Sequence, residues 1–172
     1  MKNTISNQNT KRMATASVST PDLGIESEEC QAPQHSEPCI IVIMGATGDL
    51  TARKLIPALF NLYLNDGLPE SFQIVGCGRT DLDSFEFRKK METALETAGL
   101  LDQAAWQAFA AALHYQIIDY ENPASYARLA ASLRELDRKS DTRGNRIFYV
   151  ALPPVLYQTV AQMIGRAGLS AE

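Results

Sequence analysis

The stretch CIIVIMGATGDLTARKLIPALF, residues 39–60, decides how the chain folds. Its first six residues are apolar and mostly β-branched, a glycine-bounded tetrapeptide follows at once, and Asp49 then opens a run of good helix formers. A strand, a tight turn and a helix are expected in that order. A strand apolar at every position suits burial on both faces, as in a parallel sheet covered by its crossover helices. Gly45 can take a backbone angle that a side chain would forbid, and Gly48 lets a ligand come close to the main chain. The helix beyond aims its unpaired N–H groups and the positive end of its dipole back at the turn, where a pyrophosphate would be stabilised. These features point to a dinucleotide site.

The glycines lie three apart, and Thr51 stands where the common G-x-G-x-x-G fingerprint would carry a third. A Walker A loop is excluded, because Leu50 falls five residues after Gly45 and no Gly-Lys pair follows. A glycine turn with no ligand is the plain alternative.

Outward from this stretch, the chain alternates strand and helix signals. Pro57 sits well inside the first helix, residues 49–64, where it removes a main-chain bond and predicts a kink or break over 53–57. Residues 72–77 form a second buried strand. Asp83-Ser-Phe-Glu86 reads as a capping box, with Phe87, Met91 and Leu95 on one helical face and Gly99 as the stop. Trp106, Phe109, Ala110 and Leu113 suggest another helix. A third strand is expected over 115–118. Asn122-Pro123 starts the next helix, a fourth strand, apolar on both faces after Arg146, covers 146–152, and a last helix over 155–167 closes at Gly168. The Pro153-Pro154 bonds are candidates for a cis peptide. The expected fold is α/β: a Rossmann-like, doubly wound parallel sheet, ordered 3-2-1-4 and incomplete.

Arg79 follows the second strand in Ile74-Val-Gly-Cys-Gly-Arg79, with no acid before Asp81. An NAD site places a carboxylate there for the ribose 2′-hydroxyl, whereas arginine suits the 2′-phosphate of NADP. A solvated loop arginine is the alternative. Asp49, beside a pyrophosphate, would be repelled by it and better caps or complements the helix N-terminus. Asp119 and Tyr120 end the third strand, on the adenine side of such a fold, and Tyr157 follows the fourth, close to the nicotinamide side.

The blocks Gly45-Ala-Thr-Gly48-Asp-Leu-Thr51, Ile74 to Arg79, and Phe148-Tyr-Val-Ala-Leu-Pro153-Pro154-x-x-Tyr157 together resemble the start of the glucose-6-phosphate dehydrogenase family, over about residues 39–168. The resemblance implies NADP as cofactor, held by Gly45, Ala46, Thr47, Gly48, Asp49, Leu50, Thr51, Arg79, Asp119, Tyr120 and Tyr157, with the 2′-phosphate at Arg79. It also implies glucose 6-phosphate as partner of a full-length, homo-oligomeric form in the pentose phosphate pathway. The family's E-K-P-x-G and R-I-D-H-Y-L-G-K segments occur nowhere here. The chain is therefore expected to be the cofactor half alone, with no catalytic residue and no turnover. His35 lies in the polar N-terminal stretch and His114 introduces the third strand, so neither suits a hydride-transfer base. A short-chain reductase or epimerase also carries G-A-T-G, but none of the six tyrosines has a lysine four residues on. A non-catalytic NADP-binding or interaction module is the reading of a different class.

A 172-residue chain that is 45% hydrophobic can bury one sizeable core, and its net charge of −4 gives no reason to expect nucleic acid or an anionic membrane. No apolar run reaches the ~18 residues of a membrane span. Three cysteines, an odd number without an apolar signal segment, suit reduced thiols in the cytoplasm. Cys30, His35 and Cys39 span a linker and a strand start and lack a fourth ligand, so no metal is expected. Fifteen of the first thirty-seven residues are Ser, Thr, Asn or Gln, which predicts a disordered tail over 1–37 ahead of one domain over 38–172. Lys2, Lys11 and Arg12 without an acid in the first twenty-one residues give a mild likeness to a targeting peptide, but amphipathic spacing is absent. Deleting residues 1–36 should leave the melting temperature within experimental error; a fall of several degrees in a thermal scan would show that the tail packs on the domain.

Overall fold

The computed structural model of the chain describes residues 37–170. The expected tail, with Cys30 and His35, therefore lies outside the described residues except for Glu37. β1 (Cys39–Met44) is buried at all six positions. On one edge it pairs in parallel with β2 (Phe72–Gly78), from Cys39 opposite Phe72 to Met44 opposite Cys77. On the other it pairs with β4 (Arg146–Val150), from Ile40 opposite Arg146 to Met44 opposite Val150. β3 (Leu113–Ile117) lies outside β2, so the order is β3-β2-β1-β4. This is the expected order.

Alternation along β1 splits its side chains between two cores. Cys39, Ile41 and Ile43 meet α1 (Ile56–Leu64), α2 (Ser84–Thr97) and α3 (Gln103–Ala111), where Phe60 packs edge-on to Trp106 and Phe109. Ile40, Val42 and Met44 meet α4 (Pro123–Ser140) and α5 (Tyr157–Arg166) through Tyr126, Leu129, Leu133 and Val160. Helices on both faces make the sheet doubly wound.

Local signals start the helices. The Asp83 carboxylate accepts from the Glu86 N–H at 2.7 Å, and the Glu86 carboxylate accepts from the Asp83 N–H at 2.9 Å, so the capping box is complete. Asn122 accepts from the Ala124 N–H ahead of Pro123. Asp102 adds a cap on α3 that apolar spacing does not announce.

Several elements differ from expectation. The break near Pro57 takes the form of a π-helical turn (Thr51–Leu55), in which the Ile56 N–H reaches back five residues to the Thr51 carbonyl. Widening the turn accommodates a proline that has no N–H of its own to offer. The third strand begins two residues earlier than expected and ends one earlier. The fourth stops at Val150, and only one of its faces is covered. Phe148 and Val150 pack on the α4 and α5 side, whereas Ile147 and Tyr149 are 51% and 45% exposed. The reason is position, since β4 is an edge strand and no helix among the described residues lies over that part of the opposite face. Beyond it a 3₁₀ turn (Pro154–Leu156) leads into α5. Every peptide bond among the described residues is trans.

At the start of β4 the Arg146 guanidinium pairs with the Asp137 carboxylate of α4, and both side chains are largely buried, at 12% and 15% exposure. Buried Thr142 also donates to Asp137, and the Arg146 Nε has no partner. Removing one member of a buried pair strands the other charge. Asp137→Ala should therefore cost about 3 to 5 kcal/mol in denaturant unfolding, whereas a loss below ~1 kcal/mol would mean that the pair is worth no more than one on the surface.

Candidate functional site

Past Met44 the chain must reverse toward the first helix while the end of β4 runs alongside. Gly45 meets this with φ of +93°, a left-handed conformation, and a Cβ there would collide with the Ala151 carbonyl oxygen and stand 2.9 Å from Leu152 Cδ2. The Ala151 N–H in turn donates to the Met44 carbonyl at 2.8 Å. The glycine is therefore demanded twice, by its own backbone angle and by its neighbour.

The main-chain bonds of the turn decide which amides a ligand could use. Gly45 and Ala46 N–H groups both donate to the Cys77 carbonyl, and the Gly48 N–H donates to the Gly45 carbonyl at 3.0 Å. What remains is the Thr47 amide and the first helical turn, where the Asp49 and Leu50 amides have no acceptor within the helix. Thr51 is fully buried and its hydroxyl donates to the Gly45 carbonyl at 3.4 Å. A threonine replaces the third glycine because it ties the turn to its helix. Ala46 is buried against Gly76, where an added Cβ would meet the Ala46 Cβ at 2.8 Å. Asp49 makes no cap bond; its exposed carboxylate pairs with Arg53 at 3.5 Å.

Beside the turn lies a cleft of about 400 Å³, lined by Gly45, Thr47, Gly48, Arg79, Thr80, Tyr120, Ala151, Leu152, Pro153 and Leu156. It opens between the ends of β1 and β4, where the order of strands changes direction, the usual place for a ligand in an open α/β sheet. The Arg79 guanidinium stands 5.9 Å from the Tyr120 ring centroid, within cation–π range. Burial raises the Tyr120 phenol's pKa, and the Arg79 charge works against that rise. The Thr80 hydroxyl donates to the Thr47 hydroxyl at 3.2 Å, and the Tyr115 hydroxyl donates to the Thr80 carbonyl at 2.9 Å. Burial pushes the Tyr115 phenol up to about 12, which keeps it a donor.

Of the expected site residues, Gly45, Thr47, Gly48, Arg79 and Tyr120 come together in the lining. Ala46 and Thr51 support the turn from within, while Asp49 and half-exposed Leu50 occupy the helix start outside the lining. Asp119 is exposed and accepts from the Glu121 N–H, holding the loop after β3. Tyr157 begins α5 and is 47% exposed, also outside the lining. Thr80, Ala151, Leu152, Pro153 and Leu156 are additions. Thr80 adjoins Arg79 and the others fill the proline-marked turn after β4, so proximity to those signals was the only clue. His114 is hydrogen-bonded to Gln73 at 2.7 Å, away from the cleft. Among the described residues no three His, Cys, Asp or Glu side chains gather as a metal would need, and no helix is long and apolar enough to cross a membrane.

The geometry fits a dinucleotide. A glycine turn leaves room beside first-turn amides, and a guanidinium and a phenol flank the same cleft.

Residues 42–172 match the family model described as glucose-6-phosphate dehydrogenase, NAD binding domain. Glucose-6-phosphate 1-dehydrogenase of Aggregatibacter actinomycetemcomitans is 43% identical over 138 residues, covering 80% of this chain and 28% of that protein. That of Chlamydia pneumoniae is 38% identical over 137 residues, covering 78% and 27%. A solved glucose-6-phosphate dehydrogenase in complex with its substrate glucose-6-phosphate superposes with a TM-score of 0.70 at 30% identity, over 79% of this chain and 28% of that one. The Mycobacterium avium enzyme superposes at 0.67 with 25% identity, with the same coverage. The chain thus spans little more than a quarter of the length of these relatives.

The two glycines should separate stability from binding. Gly45→Ala should cost about 1 to 3 kcal/mol from the backbone angle alone, with the clash adding to it. At Gly48 a Cβ stands 3.2 Å from the Gly45 carbonyl oxygen alone and no positive φ adds strain, so Gly48→Ala should destabilise less than Gly45→Ala yet bind dinucleotide more weakly. Chemical denaturation and calorimetric titration of both variants check this; equal effects on stability would refute the division.

Proposed function

The chain belongs to the glucose-6-phosphate dehydrogenase family, whose NAD binding domain spans residues 42–172, and from that premise we propose that it binds NADP in the cleft between the ends of β1 and β4. The observation that carries the choice of NADP is Arg79, a guanidinium at the end of β2 lining the cleft, with no carboxylate before Asp81. A planar, permanently charged fork suits a phosphate, whereas a ribose hydroxyl calls for an acid. The first-turn amides after Gly48 would hold the pyrophosphate. Arg79, with Thr47 and Thr80 beside it, would hold the 2′-phosphate, Asp119 and Tyr120 the adenosine side, and Leu152, Pro153, Leu156 and Tyr157 the nicotinamide side.

In a full-length, homo-oligomeric form we place this domain in the oxidation of glucose 6-phosphate at C1 to the lactone, the first step of the pentose phosphate pathway. NADP, when bound, supplies the hydride acceptor. This chain's residues bind and orient it, and Leu152 and Leu156 shield it from water. The sugar phosphate and the general base call for residues this sequence does not contain. Burial raises the pKa of the Cys39 and Cys77 thiols, the latter to about 12. Inert free thiols fit a cytoplasmic setting.

Arg79→Ala should weaken NADP by roughly ten- to a hundredfold, the worth of one charge-assisted hydrogen bond, and leave NAD nearly untouched. Calorimetric titration of the 172-residue chain with both dinucleotides makes the measurement. Equal losses would remove the assignment of the 2′-phosphate to Arg79, and a parent chain that binds neither dinucleotide would remove the site.

A further inference from the structure

The turn after β1 has a cation on its outer flank that belongs to neither β1 nor β2. Lys90, in the second turn of α2, is exposed and donates from Nζ to the Thr47 carbonyl at 2.9 Å. On a helix surface such a lysine ordinarily pairs with a carboxylate one turn away. The residue four back is Glu86, whose carboxylate is committed to the Asp83 N–H in the capping box. The residues three and four onward are Thr93 and Ala94, which carry no charge. Lys90 takes part in none of the ion pairs among the described residues. Its charge therefore rests on a neutral carbonyl at the rim of the cleft.

That carbonyl belongs to the residue whose hydroxyl meets the Thr80 hydroxyl at 3.2 Å, and Thr80 follows Arg79. Two cations from different elements thus stand at this edge of the cleft: Lys90 on α2 touches the Thr47 carbonyl, and Arg79 after β2 lines the cleft together with Thr47 and Thr80. Tyr115 steadies the group by donating to the Thr80 carbonyl. Paired cations with hydroxyl donors match a phosphate dianion and are wasted on a ribose hydroxyl.

We propose that Lys90 is a second cation of the 2′-phosphate subsite, parked on the Thr47 carbonyl in the free protein and turned to the phosphate when NADP binds. This rests on the reading that the chain binds NADP with its 2′-phosphate at Arg79. A flexible four-carbon stem on an exposed helix face allows the move without any change of backbone. The lysine stands outside the lining of the cleft and reaches the phosphate over Thr47.

The test is titration of the 172-residue chain, and of its Lys90→Gln and Lys90→Arg variants, with NADP and with NAD at low and high salt. Lys90→Gln should weaken NADP roughly three- to tenfold at low salt, change NAD less than twofold, and flatten the salt dependence of NADP binding. Lys90→Arg should keep most of the affinity. Thermal unfolding identical to the parent's establishes that the exposed substitution left the fold alone. If Lys90→Gln weakens NADP and NAD equally, the lysine only holds the turn and the proposal is overturned; unchanged NADP affinity overturns it too. If the parent itself does not prefer NADP to NAD, the underlying reading has failed and the proposal falls with it.

Discussion

Every residue of β1 is buried because the strand has a partner on each edge and a helical layer on each face. That constraint organises the rest. A six-residue strand with no solvent-facing position offers no face for polar side chains, so Cys39 to Met44 are apolar throughout. Alternation then sends odd-numbered side chains to the α1, α2 and α3 side and even-numbered ones to the α4 and α5 side. The two cores are coupled through one strand, whose C-terminal end at Met44 is paired on both edges, opposite Cys77 and Val150. The candidate site is built there.

The electrostatics of the turn are set by which main-chain groups the fold has already used. Gly45, Ala46 and Gly48 amides are spent on carbonyls of β2 and of the turn itself, so the glycines provide shape more than hydrogen bonds. The donors left over belong to Thr47 and the first helical turn, and the full charges come from Arg79 and Lys90 near the turn. A ligand anion would be held from the side by cations and end-on by the helix. Asp49 does not spoil this, because its carboxylate turns outward to Arg53.

β4 bears the cost of its edge position. Its inner face completes the α4 and α5 core through Phe148 and Val150, while Ile147 and Tyr149 remain open on the other. Its buried start is secured by Arg146 and Asp137. Its end is secured by the close approach of Ala151 to Gly45, so the strand that bounds the cleft is held at both ends though only one face is covered.

Local signals sufficed wherever the physics is local. The apolar run of β1, the glycine turn, the Asp83 and Glu86 box and the Asn122-Pro123 start depend on neighbours within about one helical turn, and each is legible in the chain. The sheet order also followed, because alternating strands and helices leave few ways to cover both faces of β1. Tertiary structure alone decided what distant segments do to one another. Thr51 reads as a missing glycine until its hydroxyl is seen on the Gly45 carbonyl. The exposure of Ile147 and Tyr149 depends on what lies over the sheet edge, which their apolar character cannot reveal. Thr80 and Lys90 reach Thr47 across 33 and 43 residues of chain, and no periodicity encodes such a contact. Residue type and spacing specify the elements, but the lining of a site is set by where rigid elements end, and that is fixed only once both cores are packed.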